Sequence, residues 1–398
     1  MSPSARPTEV GALYVHAPFC ARRCTYCDFA VTVRSRGDTF AWVAALRGEL
    51  DLVEREGVFA LSPTLESLYV GGGTPSLLGR DAMRLLADAV GHDRLCGPAL
   101  EWTAEANPES LTSEVASAWR DAGVGRLSIG VQTFHAEALR WMGRLHGPEG
   151  AEGAVRIARD AGFEELSVDL MFGLPESLGR SWTHDLECAV SLDVPHVSLY
   201  GLTVEPATPL GRAVAEGRVP EVDEERYRRE YLLAADLLRA EGYEHYEVSN
   251  FARPGHASRH NQVYWDGRPY LGIGNGAHSY AHPLRRWNVR DWAAYQGRVL
   301  AGRSPEEARE RIDDVAHRTE RIWLGLRTSR GFAAPAAGSR ADALVRQWRR
   351  QGWVVVERER VHLTPEGWLI LDELSVQLDA LGARGIRSAG HCIPTAGS

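Results

Sequence analysis

Three of the six cysteines, Cys20, Cys24 and Cys27, fall on one short stretch, Pro18-Phe19-Cys20-Ala21-Arg22-Arg23-Cys24-Thr25-Tyr26-Cys27-Asp28-Phe29. Thiolates are soft ligands, and three on a short loop can converge on a single metal centre. A structural zinc site wants four ligands, commonly two C-x2-C pairs, and the chain has no second pair. A ferredoxin cluster also wants four cysteines. A C-x3-C-x2-C loop without a fourth partner points to a [4Fe-4S] cluster with three irons held by protein and the fourth open to a ligand. Cys96, Cys188 and Cys392 stand alone and read as small buried hydrophobes or incidental surface residues.

Further chemistry-bearing residues recur along the first half of the chain. Gly71-Gly72-Gly73-Thr74-Pro75 lets backbone approach a ligand closely and leaves amides free to donate. Glu105-Ala106-Asn107-Pro108 offers a carboxylate that can accept hydrogen bonds. Gly130-Val131-Gln132-Thr133 and Gly143-Arg144-Leu145-His146 follow. Asp169, in Asp169-Leu170-Met171-Phe172-Gly173, is an acid of the kind that binds ribose hydroxyls from a strand end.

The elements that position these residues are legible in the hydrophobic pattern. Strands are predicted at 13–19, 67–71, 101–106, 126–132, 165–172 and 196–202, each a short apolar or alternating run closed by Gly, Pro or polar residues. Amphipathic helices are predicted around 38–55, 80–91, 112–121, 149–161 and 179–192. Six βα units in series imply a parallel sheet with right-handed crossovers. Every motif above falls at the C-terminal end of a strand, where α/β barrels carry function.

The cysteine loop, following the strand Leu13-Tyr14-Val15-His16, resembles the signature of the radical S-adenosylmethionine (SAM) superfamily. The resemblance implies a partial (β/α)6 barrel and a SAM bound to the open iron. It places Tyr26 beside adenine and identifies the Gly71–Thr74 segment with the one that binds the methionine amino group. Position by position, it implies a SAM site lined by Tyr14, Tyr26, Gly72, Gly73, Thr74, Glu105, Gln132, Arg144 and Asp169. In it, Arg144 would neutralise the carboxylate with a bidentate fork.

Beyond the barrel, 223–241 reads as a helix with Asp223 as N-cap and Gly242 as stop. The block 246–279 is rich in Gly, His and aromatics and lacks clean periodicity, which suggests a binding surface. Residues 302–314 look charged and linker-like. A helix at 341–351, a hairpin at 354–363 and a last helix from about 365 to 380 resemble a winged-helix domain, expected to pack on the barrel. The expected division is barrel 1–210, barrel extension 211–300 and winged-helix-like domain 301–398.

Over residues 10–380 the chain resembles the family around oxygen-independent coproporphyrinogen III dehydrogenase, and within it the branch of heme chaperones. The dehydrogenase is expected to continue the loop with a fourth cysteine two residues after the third, and here Phe29 stands there. The dehydrogenase also carries an N-terminal extension, whereas Tyr14 lies near the start of this chain. His260-Asn261-Gln262-Val263-Tyr264-Trp265 matches the chaperones' HNxxYW motif, which makes His260 the candidate axial ligand for heme and His278 the runner-up. Two functions therefore compete: heme binding and delivery to acceptor hemoproteins, or oxidative decarboxylation of porphyrinogen propionates. Either implies an electron donor such as flavodoxin or ferredoxin. A homodimer and peripheral membrane contact are further expectations.

Composition narrows the classes. Forty-five basic against 53 acidic residues give a net charge of −8, and no lysine occurs. That excludes Schiff-base chemistry and a P-loop lysine, and argues against a nucleic-acid binder. Residues 340–363 hold six arginines against three acids, yet a packed domain accounts for them. No apolar run is long enough to span a membrane and no secretory signal is visible at the N-terminus, so the expected location is cytoplasmic.

Overall fold

The computed structural model describes residues 6–336 and 338–381, and every count below is of those residues; Cys392 lies outside them. Six parallel strands form the frame: β1 (Ala12–Ala17), β2 (Ser67–Gly72), β3 (Glu101–Ala106), β4 (Arg126–Gln132), β5 (Glu165–Phe172) and β6 (His196–Gly201). Helices at Thr39–Glu56 (α1), Ala82–Val90, Ser113–Ala122, Gly150–Asp160 and Trp182–Ser191 cover the outside. The sheet is extended past β6 by an antiparallel pair, Asn250–Ala252 and Glu244–Glu247, and past β1 by a parallel strand, Leu271–Ile273, giving nine strands.

Parallel strands covered on both sides usually read as continuous apolar runs. These alternate, and the alternation explains the barrel. Leu13, Val15, Leu68, Val70, Trp102, Leu127, Ile129, Leu166 and Val168 are buried under the helices. The opposite face is polar: Tyr14 pairs in register with Tyr69, Tyr69 with Thr103, Glu105 with Ser128, Ser128 with Ser167, and Asp169 with Ser198. A sheet with one apolar and one polar face curls its polar face around a chamber.

The far end of that chamber, at the strand N-termini, is plugged by the short helix Arg259–Trp265, which contains the HNQVYW residues. Ser258 caps this helix through Asn261 N and reaches Glu101, and Arg259 bonds Ala99 O. Arg126, almost wholly buried, is held there between Glu165 and Glu101.

Beyond the plug, the strands His278–Ala281, Leu284–Asn288 and Glu306–Arg311 form a separate antiparallel sheet. The segment expected as a linker at 302–314 thus contains a strand, Glu306–Arg311. Its charges pair across the ladder, Arg285 with Glu310, and on the other face Arg286 with Glu56 of α1. Alternating salt-bridged strands have no apolar stripe for periodicity to detect.

At the C-terminus, helices Asp314–Leu326, Arg340–Arg350 and Leu371–Ala380 surround a small sheet of Phe332–Ala333, Arg360–Leu363 and Val354–Glu357. Trp348, Val361 and Leu374 are buried in its core, which is continuous with the main one. No described helix is long and apolar enough to cross a membrane.

Candidate functional site

The cysteine loop leaves β1 across the mouth of the barrel and is tied down along its length. Thr32 N donates to Pro18 O, Thr25 N to Met142 O, and Arg34 N to Cys20 O. Asn275 Nδ2 and His16 Nε2 both bond Ala30 O, and Arg290 holds Asp28. His16 also meets Tyr14 OH at 3.1 Å through Nδ1, so the last turn of β1 is wired to the loop by one buried imidazole. Burial holds that imidazole neutral, with its pKa lowered to about 4.

Cys20, Cys24 and Cys27 are all partly buried; burial raises the pKa of Cys20 and of Cys27, and the neighbouring cysteines add to both shifts. Burial pushes the Cys20 thiol up to about 11 despite a 3.4 Å hydrogen bond from Thr74 Oγ1. Phe29 N–H donates to Cys27 Sγ. Thiols held this way ionise only when a cation shares their charge. Among the described residues no three His, Cys, Asp or Glu side chains gather closely enough to hold a single ion. Three thiolates carried on one loop are the donor set that suits an iron-sulfur cluster.

Next to the cysteines, the strand ends of β2, β3 and β4 converge. Gly73 lies under Cys20: a Cβ there would sit 3.2 Å from its sulfur and 2.7 Å from Ala17 O. Gly72 has φ +109°, and a Cβ there would stand 2.3 Å from the His16 ring. Both glycines are therefore required by space, and Gly72 by conformation as well. Glu105 accepts from Gly72 N at 3.0 Å and Tyr69 OH at 2.8 Å. Its pKa is raised to about 7 by burial, with nearby Asp169 adding to the shift.

Arg144 reaches in from the turn after the helix Ala136–Met142. Its guanidinium donates to Asn107 Oδ1 at 2.8 Å and Gly130 O at 2.5 Å and approaches Cys24 Sγ at 3.9 Å. Its Nε is buried without a partner, an unmet donor beside the cysteine loop. Gln132 has φ +70° at a break in the β4–β5 register, which turns it back toward Gly130. Asp169 accepts from Ser128 Oγ, and burial raises its carboxyl to about 6. Thr74, Asn107, Cys24 and Arg144 line a cleft of about 220 Å³ at this mouth.

The structure thus gathers Tyr14, Gly72, Gly73, Thr74, Glu105, Gln132, Arg144 and Asp169 on the polar face and mouth of one barrel, beside the three cysteines. Tyr26 packs its ring against the apolar group containing Met142, Met171 and Leu202, while its hydroxyl lies beside Cys24 and Arg144. His260 is elsewhere. It is 1% exposed, with Nδ1 2.9 Å from Ser67 Oγ and Nε2 2.9 Å from Tyr264 OH, and it stacks on Tyr69. With both ring nitrogens engaged inside the barrel plug, His260 has none to give to a porphyrin iron. The motif that suggested a surface ligand builds the floor instead.

Sequence reasoning missed His16, Tyr69 and Asn107. Tyr69 could have been found from the alternation of β2, which places it beside Tyr14. The interactions of His16 and Asn107 depend on loops that the pattern does not place.

Residues 14–183 match the Radical SAM superfamily. A protein of Mycobacterium tuberculosis (strain ATCC 25618 / H37Rv) named heme chaperone HemW is 36% identical over 92% of this chain and 94% of its own length. A Bacillus subtilis (strain 168) protein of the same name is 32% identical over 91% and 97%. A Bos taurus protein, radical S-adenosyl methionine domain-containing protein 1, mitochondrial, is 32% identical over 93% and 88%. Among solved structures, the radical SAM enzyme coproporphyrinogen III oxidase (HemN) from Escherichia coli aligns with a TM-score of 0.75 over 94% of this chain and 90% of that one; at 21% identity, this shows a shared fold. The chain belongs to the radical SAM superfamily, which implies a [4Fe-4S] cluster and SAM.

Proposed function

We propose that this radical SAM protein is a heme chaperone, which binds heme and passes it to acceptor hemoproteins. The observation that carries this reading is the naming of relatives: proteins that align with about nine tenths of the chain at 32–36% identity bear the name heme chaperone. The loop supports it, since Cys27 is followed by Asp28 and Phe29, and Phe29 stands where the dehydrogenase would place its extra cysteine.

In this reading Cys20, Cys24 and Cys27 hold three irons of a [4Fe-4S] cluster. Gly72, Gly73, Thr74, Glu105, Gln132, Arg144 and Asp169 hold SAM, Arg144 facing its carboxylate. When bound, cluster and SAM supply one-electron chemistry at the barrel mouth. The chain's own part is to orient and shield. The fork of Arg144 is pre-aimed by Asn107 and Gly130, and Glu105 presents an acid whose proton is readily lost near neutrality. A donor such as flavodoxin or ferredoxin would reduce the centre.

The test is anaerobic reconstitution with iron and sulfide, followed by separate assays of heme binding and of coproporphyrinogen decarboxylation. Stoichiometric heme without decarboxylation is expected. Decarboxylation without heme binding would replace this reading by the dehydrogenase one.

A further inference from the structure

The histidines sort themselves by what their ring nitrogens already do. His16, His146, His196 and His260 have both nitrogens hydrogen-bonded. Among the described residues, only His278 and His282 leave both nitrogens without a partner. The His282 ring rests against that of His317 at 3.9 Å, with no large aromatic wall beside it. His278 is exposed and faces Trp287 across the strand pair His278–Ala281 and Leu284–Asn288, ring stacked on ring at 5.6 Å and 20°. Partial burial of the ring, with Arg285 and Arg290 nearby, lowers its pKa, which favours the neutral imidazole that binds iron.

We propose that the exposed face carrying His278 and Trp287 is where heme docks, with His278 as the axial ligand and Arg290 pairing with a propionate; the proposal rests on the heme-chaperone reading above. A ferric porphyrin needs an imidazole with a free nitrogen, a wall for its macrocycle and cations for its carboxylates. Trp287, stacked nearly parallel on the imidazole, fixes the imidazole plane and offers its edge to the macrocycle, which stands across that plane. Of the two arginines, Arg285 is already clamped by Glu310 at 2.7 Å and Glu320 at 2.8 Å. Arg290 is 56% exposed at its side chain and, among the described residues, its guanidinium hydrogen-bonds only Asp28, which leaves it a donor to exchange. In a chain of net charge −8, a neutral imidazole flanked by arginines is complementary to a flat ring that carries two carboxylates.

This face is also joined to the cysteine loop. Asn275 Nδ2 bonds both Ala30 O and Arg290 O, and a Cβ on Gly276 would sit 2.8 Å from that of Ala30. Phe29, 62% exposed, adds apolar surface one residue from the Asp28–Arg290 contact. A propionate that draws Arg290 away from Asp28 thereby loosens the residue next to Cys27.

The experiment titrates hemin into the reconstituted full-length protein, with gel filtration and pyridine hemochrome analysis to count bound heme. Wild type is expected to show an imidazole-ligated Soret spectrum. His278→Ala should weaken binding about tenfold or more with the cluster content unchanged. His278→Cys should move the Soret band to a thiolate position, a change no purely structural role produces. Arg290→Ala should weaken binding several-fold. Unchanged affinity and spectrum in His278→Ala would overturn the site, as would a change in oligomeric state without any change in heme. A wild-type protein that takes up no heme would overturn the chaperone reading and this site with it. Heme bound by wild type and His278→Ala alike would overturn the site alone.

Discussion

Glu105 gives the barrel mouth a measurable proton linkage. Its carboxyl stands at about 7, against an ordinary 4.5, because it is buried at the barrel mouth with only Tyr69 OH and Gly72 N to solvate its charge. A carboxyl raised on folding favours the folded state below its unfolded pKa, and that contribution is lost as pH climbs toward 7. A ligand whose donors select the ionised form reverses the cost. SAM should therefore bind more tightly as pH rises through 7 and level off above it. With one proton released, the dissociation constant scales as 1 + 10^(pKa − pH). Between about pH 6 and about pH 8 the factor falls from ~11 to ~1.1, a tenfold gain in affinity worth ~1.4 kcal/mol. The assay is anaerobic calorimetry on cluster-loaded protein in two buffers of different ionisation enthalpy, which counts the proton directly. Glu105→Gln should flatten the slope and bind worst, relative to wild type, at the higher pH. Asp169, raised to about 6 by burial, and SAM's own groups titrate in both proteins, so the difference between them isolates Glu105. Equal slopes in wild type and Glu105→Gln would refute the reasoning.

Three other outcomes are expected. Replacing Cys20, Cys24 or Cys27 by Ala should each abolish the brown [4Fe-4S] absorbance after reconstitution, while Cys96→Ala and Cys188→Ala keep it; the reverse pattern would sink the three-cysteine assignment. Arg144→Ala removes the charged donor to Asn107 Oδ1 and Gly130 O, a loss of about 1.5–3 kcal/mol, so SAM affinity should drop roughly 10–150-fold with the iron content intact. Glu49, with pKa raised to about 7 by burial, accepts from Gly274 N, Tyr295 OH and Asn288 Nδ2; Glu49→Ala orphans three buried donors and should lower the urea midpoint by the equivalent of about 3 kcal/mol or more, whereas a shift below ~1 kcal/mol would show those donors to be solvated.

What the sequence made legible was whatever repeats with a period. Strands β3, β4 and β5 fall where the alternation placed them, at Glu101–Ala106, Arg126–Gln132 and Glu165–Phe172, and Asp223 caps its helix as its spacing implied. Polar residues at strand ends were legible for the same reason: a barrel strand delivers its last inward residue to the mouth, whatever that residue is. Glu105 and Asp169 could be named from one dimension because each needs only its own strand to arrive.

His260 shows where that legibility ends. Its motif is conspicuous in sequence because it packs histidine, asparagine, tyrosine and tryptophan into one helical turn and a half, and such density reads equally as a ligand set or as a plug. The choice depends on two long-range contacts, Ser67 Oγ on the first residue of β2 and Tyr69 two residues later, and neither is implied by anything near residue 260. The same holds in reverse for His278. Nothing in Gly276-Ala277-His278 marks it as exposed, and Trp287 is nine positions away in the chain, yet antiparallel register sets the two rings face to face. A polar barrel interior must satisfy every group it buries, so its histidines are consumed by structure. A histidine free to bind cargo has to stand outside the barrel, on a surface assembled by register, where residue type alone is mute.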